Sequence, residues 1–494
     1  MSHIGKSREQ DQGPENSGHG PLYADRVRIY PMAVHGRMRQ IKWAVLIFCL
    51  VVYYALPWLR WDRGLGEPTQ AVLLDLGHRR FYLFGLELWP QDAIFLAGLL
   101  IIAAATLFFV TSLVGRVWCG YSCPQTVWTD LFMWVERTIE GDRNTRIKRD
   151  SQPISFDKVW RKAAKHAIWL GIAFWTGGAW IMYYVDAPTV TRDFWIGQAD
   201  GPVYVFTLLF TATTYVLAGW AREQVCTYMC PWPRFQSAMM DEHSYTVTYQ
   251  AWRGEPRTRG KHIPDGKVVG DCVDCSACVA ACPTGIDIRD GIQLECIDCG
   301  LCMDACDHVM SKLGRKTALI TWDTLSRQAN KLAGKKAPVK LLRSRSIIYI
   351  VALIVAVSGM GIGLATRSTL SISIQRDRAP LFVTLPSGEI RNGYLLHVLN
   401  KTPKPSGFTL EVEHLDGARI AVAETATKPG ESVTIQVKAD EVATFRILVT
   451  ATPLELNNGS QPVNFVLRST SDGAQTHYSS VFMGPAGFRP PSAE

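Results

Sequence analysis

The chain has no cysteine after Cys306, almost no histidine in its apolar stretches, and no glycine loop of the phosphate-binding kind. The first absence excludes a secreted disulfide scaffold, which would spread its cysteines through the loops. The second argues against a membrane di-haem b cytochrome, whose axial ligands are commonly paired histidines on facing helices; His166, near the start of one stretch, is the lone case. With neither G-x-G-x-x-G after a strand nor a P-loop, nucleotide binding has no local support. A flavin also lacks a motif here, although it can bind without one. No short apolar stretch with a cleavage site opens the chain, so no secretory signal peptide is expected.

What is present is strongly segregated. The 494 residues are 47% hydrophobic and 19% charged, enough for two or three folded units. Five apolar stretches are long enough to span a bilayer: 41–59, 92–114, 163–185, 203–220 and 346–365. The formal charge of +8 gathers in alternate connecting segments. Arg28, Arg37 and Arg39 precede the first stretch with Lys6, Arg8 and Arg26; Arg143, Arg146, Lys148 and Arg149 follow the second; the 221–345 loop is the most basic. The 186–202 loop carries only Arg192. By the positive-inside rule the N-terminus and the 221–345 loop are cytoplasmic, and the C-terminal region is periplasmic in a Gram-negative inner membrane. The charge is therefore topological, with lipid as its partner, and no nucleic acid is needed to explain it.

The expected organisation is a multi-domain membrane protein. A cytoplasmic tail (1–40) leads to a four-span α-helical membrane domain (41–240), then to a cytoplasmic cysteine-rich domain with a basic linker (241–345). A fifth transmembrane helix (346–366) and a periplasmic all-β domain (367–494) complete it. Alternation at Phe408/Leu410/Val412, Val433/Ile435/Val437, Phe445/Ile447/Val449 and Val463/Phe465/Leu467 predicts strands of a β-sandwich. Its histidines, His397, His414 and His477, have no ligand spacing, so docking is expected there rather than chemistry.

The chemistry is concentrated in Cys272-x2-Cys275-x2-Cys278-x3-Cys282-Pro283 and Cys296-x2-Cys299-x2-Cys302-x3-Cys306. This is the spacing of a bacterial-type ferredoxin (α+β) with two [4Fe–4S] clusters, each tight loop giving three thiolates and the partner motif the fourth. The crossed sets are Cys272, Cys275, Cys278 and Cys306 for one cluster, and Cys296, Cys299, Cys302 and Cys282 for the other. Structural zinc has no use for the third cysteine of each loop. Asp307 stands where the second motif lacks its proline, and His308 beside it reads as a surface residue.

Two further motifs echo each other. Cys119-Gly-Tyr-Ser-Cys123-Pro124 follows the second stretch and Cys226-Thr-Tyr-Met-Cys230-Pro231 the fourth, so the membrane part looks duplicated. Pro124 is expected to open an amphipathic helix (Val127, Leu131, Trp134, Val135) with Cys123 at its N-cap, where a thiol pKa is lowered. Four converging thiolates suit Cu(I) at low coordination; a third iron–sulfur cluster or a redox disulfide would use the same residues. Cys49, alone in the first stretch, reads as an apolar packing residue.

Together these features resemble the CcoG family, also called FixG or RdxA, of cytochrome oxidase accessory proteins. The resemblance covers nearly the whole chain; the membrane hairpins and ferredoxin part are shared with NapH- and NosR-like polyferredoxins, and the β-rich tail favours CcoG. It implies an immunoglobulin-like sandwich for that tail and a role in assembling the cbb-type oxidase. It further implies reduction of Cu(II) to Cu(I) for copper chaperones and assembly factors. Cys119, Cys123, Cys226 and Cys230 would be the catalytic copper-handling thiols, and the eight ferredoxin cysteines would hold clusters fed by a cytoplasmic donor. The alternative is an electron-transfer subunit between the quinone pool, or a cytoplasmic donor, and another reductase; a purely structural assembly scaffold is a third reading. The sequence leaves oligomeric state open, a homodimer included.

Overall fold

Proline, glycine and buried charge set the ends of the helices that the apolar stretches form. A computed structural model describes residues 28–64, 67–258, 269–366, 370–400, 405–415, 417–423, 429–438, 441–452, 459–471 and 473–485. Lys6, Arg8 and Arg26 lie outside the described residues, as does most of the expected tail. The chain forms two compact units, Met1–Arg63 with Glu67–Ser358, and Gly359–Glu494 with Gly64–Gly66.

In the first unit α1 (Arg37–Ala55) leads into an antiparallel sheet of β1 (Val72–Asp75), β2 (Arg80–Leu83) and β3 (Leu86–Leu88). The helices α2 (Ala93–Val114), α3 (Pro124–Glu140), α4 (Arg143–Ser151), α5 (Phe156–Ile181), α6 (Ala187–Trp195), α7 (Gly201–Thr214) and α8 (Trp232–Met239) follow. A π-helical turn, Tyr215–Ala221, extends α7. The helices α5 and α7 approach closely because Gly177 has no side chain: a Cβ there would stand 2.8 Å from the Thr207 carbonyl oxygen.

Among the described residues, four helical segments are long and apolar enough to cross a membrane: Arg37–Trp58, Ala93–Val114, Gly201–Ala221, and Ser344–Ala365. The expected third span, 163–185, falls in α5. That helix has the length, with 26 residues, but its first half carries Lys158, Arg161, Lys162, Lys165 and His166. Lys162 and Lys165 are held there by carboxylates of α3 and α4, and Arg161 by one on α5 itself. Lys165 lies 3.0 Å from Glu140 and 3.6 Å from Glu136, and Arg161 bonds Asp157 at 2.8 Å.

The helix α3 begins at Pro124 with Cys123 as its N-cap, as the proline requires. Its buried face differs from the apolar stripe read in the sequence. Val127 and Val135 are buried, but Trp134 is exposed, and the interior also takes Asp130, Glu136 and Glu140. Buried carboxylates are tolerable only when paired. Arg39 donates two hydrogen bonds to Asp130, at 2.7 and 2.9 Å; Arg146 and Arg222 reach Glu136 at 2.7 and 2.8 Å.

The cysteine-rich part is built on the antiparallel pair β4 (Thr246–Tyr249) and β5 (Ile320–Asp323), with Thr246 opposite Asp323. Between them come α9 (Ala251–Gly254), α10 (Ala277–Ala281) and α11 (Leu301–Lys312); α12 (Leu325–Leu332) and α13 (Ser344–Ala365) follow. Val247, Ile288, Met310 and Leu319 form one core with Cys272, Cys278 and Cys306.

The second unit is a sandwich of two antiparallel sheets. One runs in the order β10 (Arg419–Val422), β12 (Glu441–Ala451), β8 (Ile390–Asn400), β6 (Leu370–Arg376), with β7 (Val383–Thr384) also on β8. The other runs β11 (Ser432–Val437), β9 (Ser406–Glu413), β13 (Ser460–Ser469), β14 (Gln475–Met483). All four alternating patterns read in the sequence are strands. Leu410, Val449, Phe465 and Phe482 meet in its core.

Candidate functional site

The two ferredoxin loops repeat one backbone shape. Asp274 and Ser276 in the first, and Asp298 and Gly300 in the second, all have positive φ (48°, 53°, 52° and 71°). Left-handed residues on both sides of the middle cysteine curl each loop into a cradle that turns its N–H groups toward one side. The crossed sets are also neighbours in space. Cys306 feels the charge of Cys278, Cys272 and Cys275, while Cys302 feels Cys299, Cys296 and Cys282 and also Cys278 of the other set. Burial first, and mutual repulsion second, push the Cys306 thiol up to about 12. Burial likewise raises Cys278 and Cys299 to about 11, and Cys296 and Cys302 well above the ordinary value of 9.0. Thiols packed this way ionise only onto cations, so the donor set fits iron. A cavity lined by Cys278, Cys282, Cys296, Cys299 and Cys302 lies between the cradles.

The C-x3-C-P motifs share a second backbone device. Each is a π-helical turn, Trp118–Ser122 and Val225–Met229. The N–H of Cys123 bonds the Trp118 carbonyl at 2.9 Å, and that of Cys230 bonds Val225 at 2.7 Å. The two thiols of a motif therefore lie on a widened turn, not on one face of an α-helix. Such single π turns are rare and frequent at functional sites. The four thiols lie within electrostatic reach of one another: Cys119 feels Cys123, Cys226 and Cys230, and Cys226 feels Cys123 and Cys230. Cys119 donates to Gln236 Oε1 at 3.1 Å, so the helix after the second motif holds the first motif's thiol. Cys49 lies apart, half-buried in α1.

One expectation about these thiols is corrected. Cys123 does sit at the N-cap, and the N–H groups of Thr126 and Gln125 do lower its pKa. Burial outweighs them and leaves it raised. Burial and the other thiols push Cys119 and Cys226 up to about 12 in the metal-free protein. No three His, Cys, Asp or Glu side chains among the described residues are gathered closely enough to ligate a single metal ion.

The two cysteine sites touch. Half-buried Cys119 packs against Ile297, Cys299 and Leu301. Gly120 is needed here, since a Cβ would stand 2.6 Å from the Ile297 carbonyl oxygen and 3.1 Å from Cys299 Cα. Tyr121 donates to the Cys299 carbonyl at 3.0 Å and stacks on Trp322. Asp298, 1% exposed, accepts from the Arg116 N–H (2.9 Å), the Thr246 hydroxyl (2.7 Å) and the Val247 N–H (3.1 Å). The Arg116 guanidinium donates to the carbonyls of Cys296 at 2.9 Å and Pro233 at 3.0 Å, joining a ferredoxin loop to the second C-x3-C-P segment. The N-terminal N–H groups of α1 complete the junction by donating to Asp304 on α11. Arg116, Gly120, Tyr121, Gln236 and Asp298 were not singled out from the sequence. Only Asp298, inside a C-x2-C loop, and the two residues inside C-x3-C had a positional signal.

Family models match three stretches. A 4Fe-4S dicluster domain covers 221–325, a 4Fe-4S binding domain covers 96–140, and the Ig-like fold at the C-terminus of FixG, a putative oxidoreductase, covers 360–485. The chain is 47% identical to nitrogen fixation protein FixG of Rhizobium meliloti over 459 residues, covering 87% of this chain and 88% of the relative. It is 44% identical to protein RdxA of Cereibacter sphaeroides (87% and 91% covered) and 43% identical to RdxB of the same organism (94% and 97% covered).

Proposed function

The chain belongs to the FixG/RdxA family, and on that premise we propose that this iron–sulfur electron-transfer protein delivers single electrons to copper at its C-x3-C-P thiols. The packing of Cys119 against the Cys299 loop carries the reading. It brings a ferredoxin cysteine loop and the thiol quartet into van der Waals contact. When bound, [4Fe–4S] clusters store and release electrons one at a time, and Cu(II) reduction takes one. In this reading Cys272, Cys275, Cys278 and Cys306 hold one cluster, and Cys282, Cys296, Cys299 and Cys302 the other.

Copper is the substrate, held by two thiolates at a time drawn from Cys119, Cys123, Cys226 and Cys230. Low coordination by soft sulfur favours Cu(I). Each thiol gives up its proton as copper binds, and the raised pKa values of Cys119, Cys123 and Cys226 keep those thiols neutral while the site is empty. The α5 helix serves as a fifth span; the ferredoxin part faces the cytoplasm and a cytoplasmic donor, and the sandwich faces the periplasm. Cu(I) then passes to chaperones and assembly factors of the cbb-type oxidase.

A second reading is favoured by one observation: a 4Fe-4S binding domain model matches 96–140, where Cys119 and Cys123 are the cysteines. The thiol quartet would then hold a third cluster, and the chain would serve as an electron-transfer subunit for another reductase. Anaerobic purification with iron and copper analysis separates the two, together with Cu(II) turnover under a chemical reductant. The copper reading expects about eight iron atoms in both wild type and Cys119→Ala/Cys230→Ala, with turnover and copper binding lost in the variant. Iron near twelve falling to eight, or turnover that survives, sinks it.

A further inference from the structure

Between the two cysteine sites lies a buried lysine that the proposed chemistry does not use. Lys42 lies on the inward face of α1 with Arg39 and Leu46, and its side chain is 2% exposed. Among the described residues its ammonium has no hydrogen-bond partner. The nearest anion, Asp130, is 3.9 Å away and already accepts both hydrogen bonds of Arg39, with Arg137 a further 3.8 Å off its other oxygen. Asp142 also faces Arg137, so Asp130 is shared by three cations, of which Lys42 stands farthest from it. The remaining carboxylate at this end of α1, Asp304, is engaged by the N–H groups of Met38 and Arg39.

A buried ammonium held only by a long, shared ion pair favours negative charge placed near it. The sulfurs within its electrostatic reach are Cys226 of the second C-x3-C-P motif and Cys299 of the second ferredoxin loop. These residues belong to the two sites, and α1 packs between them, resting on α11 at one side and on the Trp118–Ser122 turn at the other.

We propose that Lys42 is a positioning residue: its buried charge favours an added electron at the Cys282/Cys296/Cys299/Cys302 site over the Cys272/Cys275/Cys278/Cys306 site. The outer set contains exposed Cys275, while the inner set adjoins Cys119. An electron entering from a donor at the outer set thus comes to rest beside the thiol quartet. The inference rests on the electron-transfer reading above but needs no copper.

The size of the effect follows from Coulomb's law. At an effective dielectric constant of about 20, one unit charge at about 8 Å changes the oxidised-to-reduced ratio about thirtyfold. For a one-electron couple at 59 mV per tenfold, that is about 90 mV. The test is an EPR-monitored redox titration of the full-length protein in nanodiscs, without copper, with iron content checked for each variant.

In Lys42→Met one of the two iron–sulfur signals should become about thirtyfold harder to reduce and the other should stay put. Lys42→Arg, which keeps the charge, should stay within about threefold of wild type. Asp130→Asn, which removes the opposing charge near Cys299, should shift the same signal the opposite way. If Lys42→Met fails to retain iron, the Asp130→Asn shift decides alone. Unmoved potentials, or shifts of one sign in both variants, overturn the proposal. Potentials that move as expected in a protein that reduces no copper leave this inference standing and remove the copper reading instead.

Discussion

Asp298 is the most informative single substitution, because one carboxylate joins the ferredoxin loop, β4 and the segment leading to Cys119. Asp298→Ala removes the acceptor for three donors and strands the buried N–H groups of Arg116 and Val247. Each stranded donor costs about 1–3 kcal/mol. Alanine also pays about 1 kcal/mol for the left-handed φ of 52°, which Asp and Asn tolerate. The expected loss is about 3–7 kcal/mol. Asp298→Asn keeps one oxygen for Thr246 and Val247 and turns its amide toward the Arg116 N–H, so it loses about 1–3 kcal/mol. Iron release to a strong chelator reads this directly, since local opening scales tenfold per 1.4 kcal/mol when reclosing is fast. Release should quicken about tenfold or more in the Asn variant and about a thousandfold in the Ala variant. An Ala variant within threefold of wild type, or no worse than Asn, would refute the junction as described.

Three further outcomes follow from the same geometry. Gly120→Ala overpacks against the Ile297 carbonyl and should destabilise the junction by about 1–3 kcal/mol, measured by the same chelator assay, while Ser122→Ala should be neutral. Glu136→Gln leaves Arg146, Arg222 and Lys165 without their shared carboxylate and should cost about 3–5 kcal/mol in denaturant unfolding. Burial would raise the Glu136 pKa, but those three cations hold it below the ordinary 4.5, so its stabilisation is present above that pH and fades below it. Cys119 and Cys226, raised to about 12, stabilise the metal-free fold below pH 9, and that contribution fades between pH 9 and 12. Because binding expels those protons, apparent Cu(I) affinity should rise with pH between 6 and 8; a flat competition titration would contradict the thiol assignment.

Much of this was legible in the residues. Cysteine spacing marked the ferredoxin loops, period-2 alternation marked the strands of the sandwich, and Pro124 marked the start of α3. What was not legible depends on partners far apart in sequence. The burial of the α3 carboxylates is one such case, because Arg39, Arg146, Lys165 and Arg222 reach them from four other segments. The Cys123 N-cap predicted a lowered pKa because local N–H groups can be read from sequence, whereas burial by the neighbouring segments cannot. The π-helical turns at both C-x3-C motifs defeat a pattern built on 3.6 residues per turn. The α5 helix falls short of a simple span for the same reason as α3: its cations belong to a buried ion-pair network.

The central claim is that electrons pass from the ferredoxin site to copper through the Cys119–Cys299 contact. Single-turnover stopped flow tests it most directly: the protein is reduced anaerobically, freed of reductant and mixed with Cu(II), while cluster absorbance and a Cu(I) chelator are followed together. The account predicts one Cu(I) formed per electron lost in wild type. It also predicts reoxidation at least tenfold slower in Cys119→Ala/Cys230→Ala with its iron intact. Equal rates in the two proteins would contradict it.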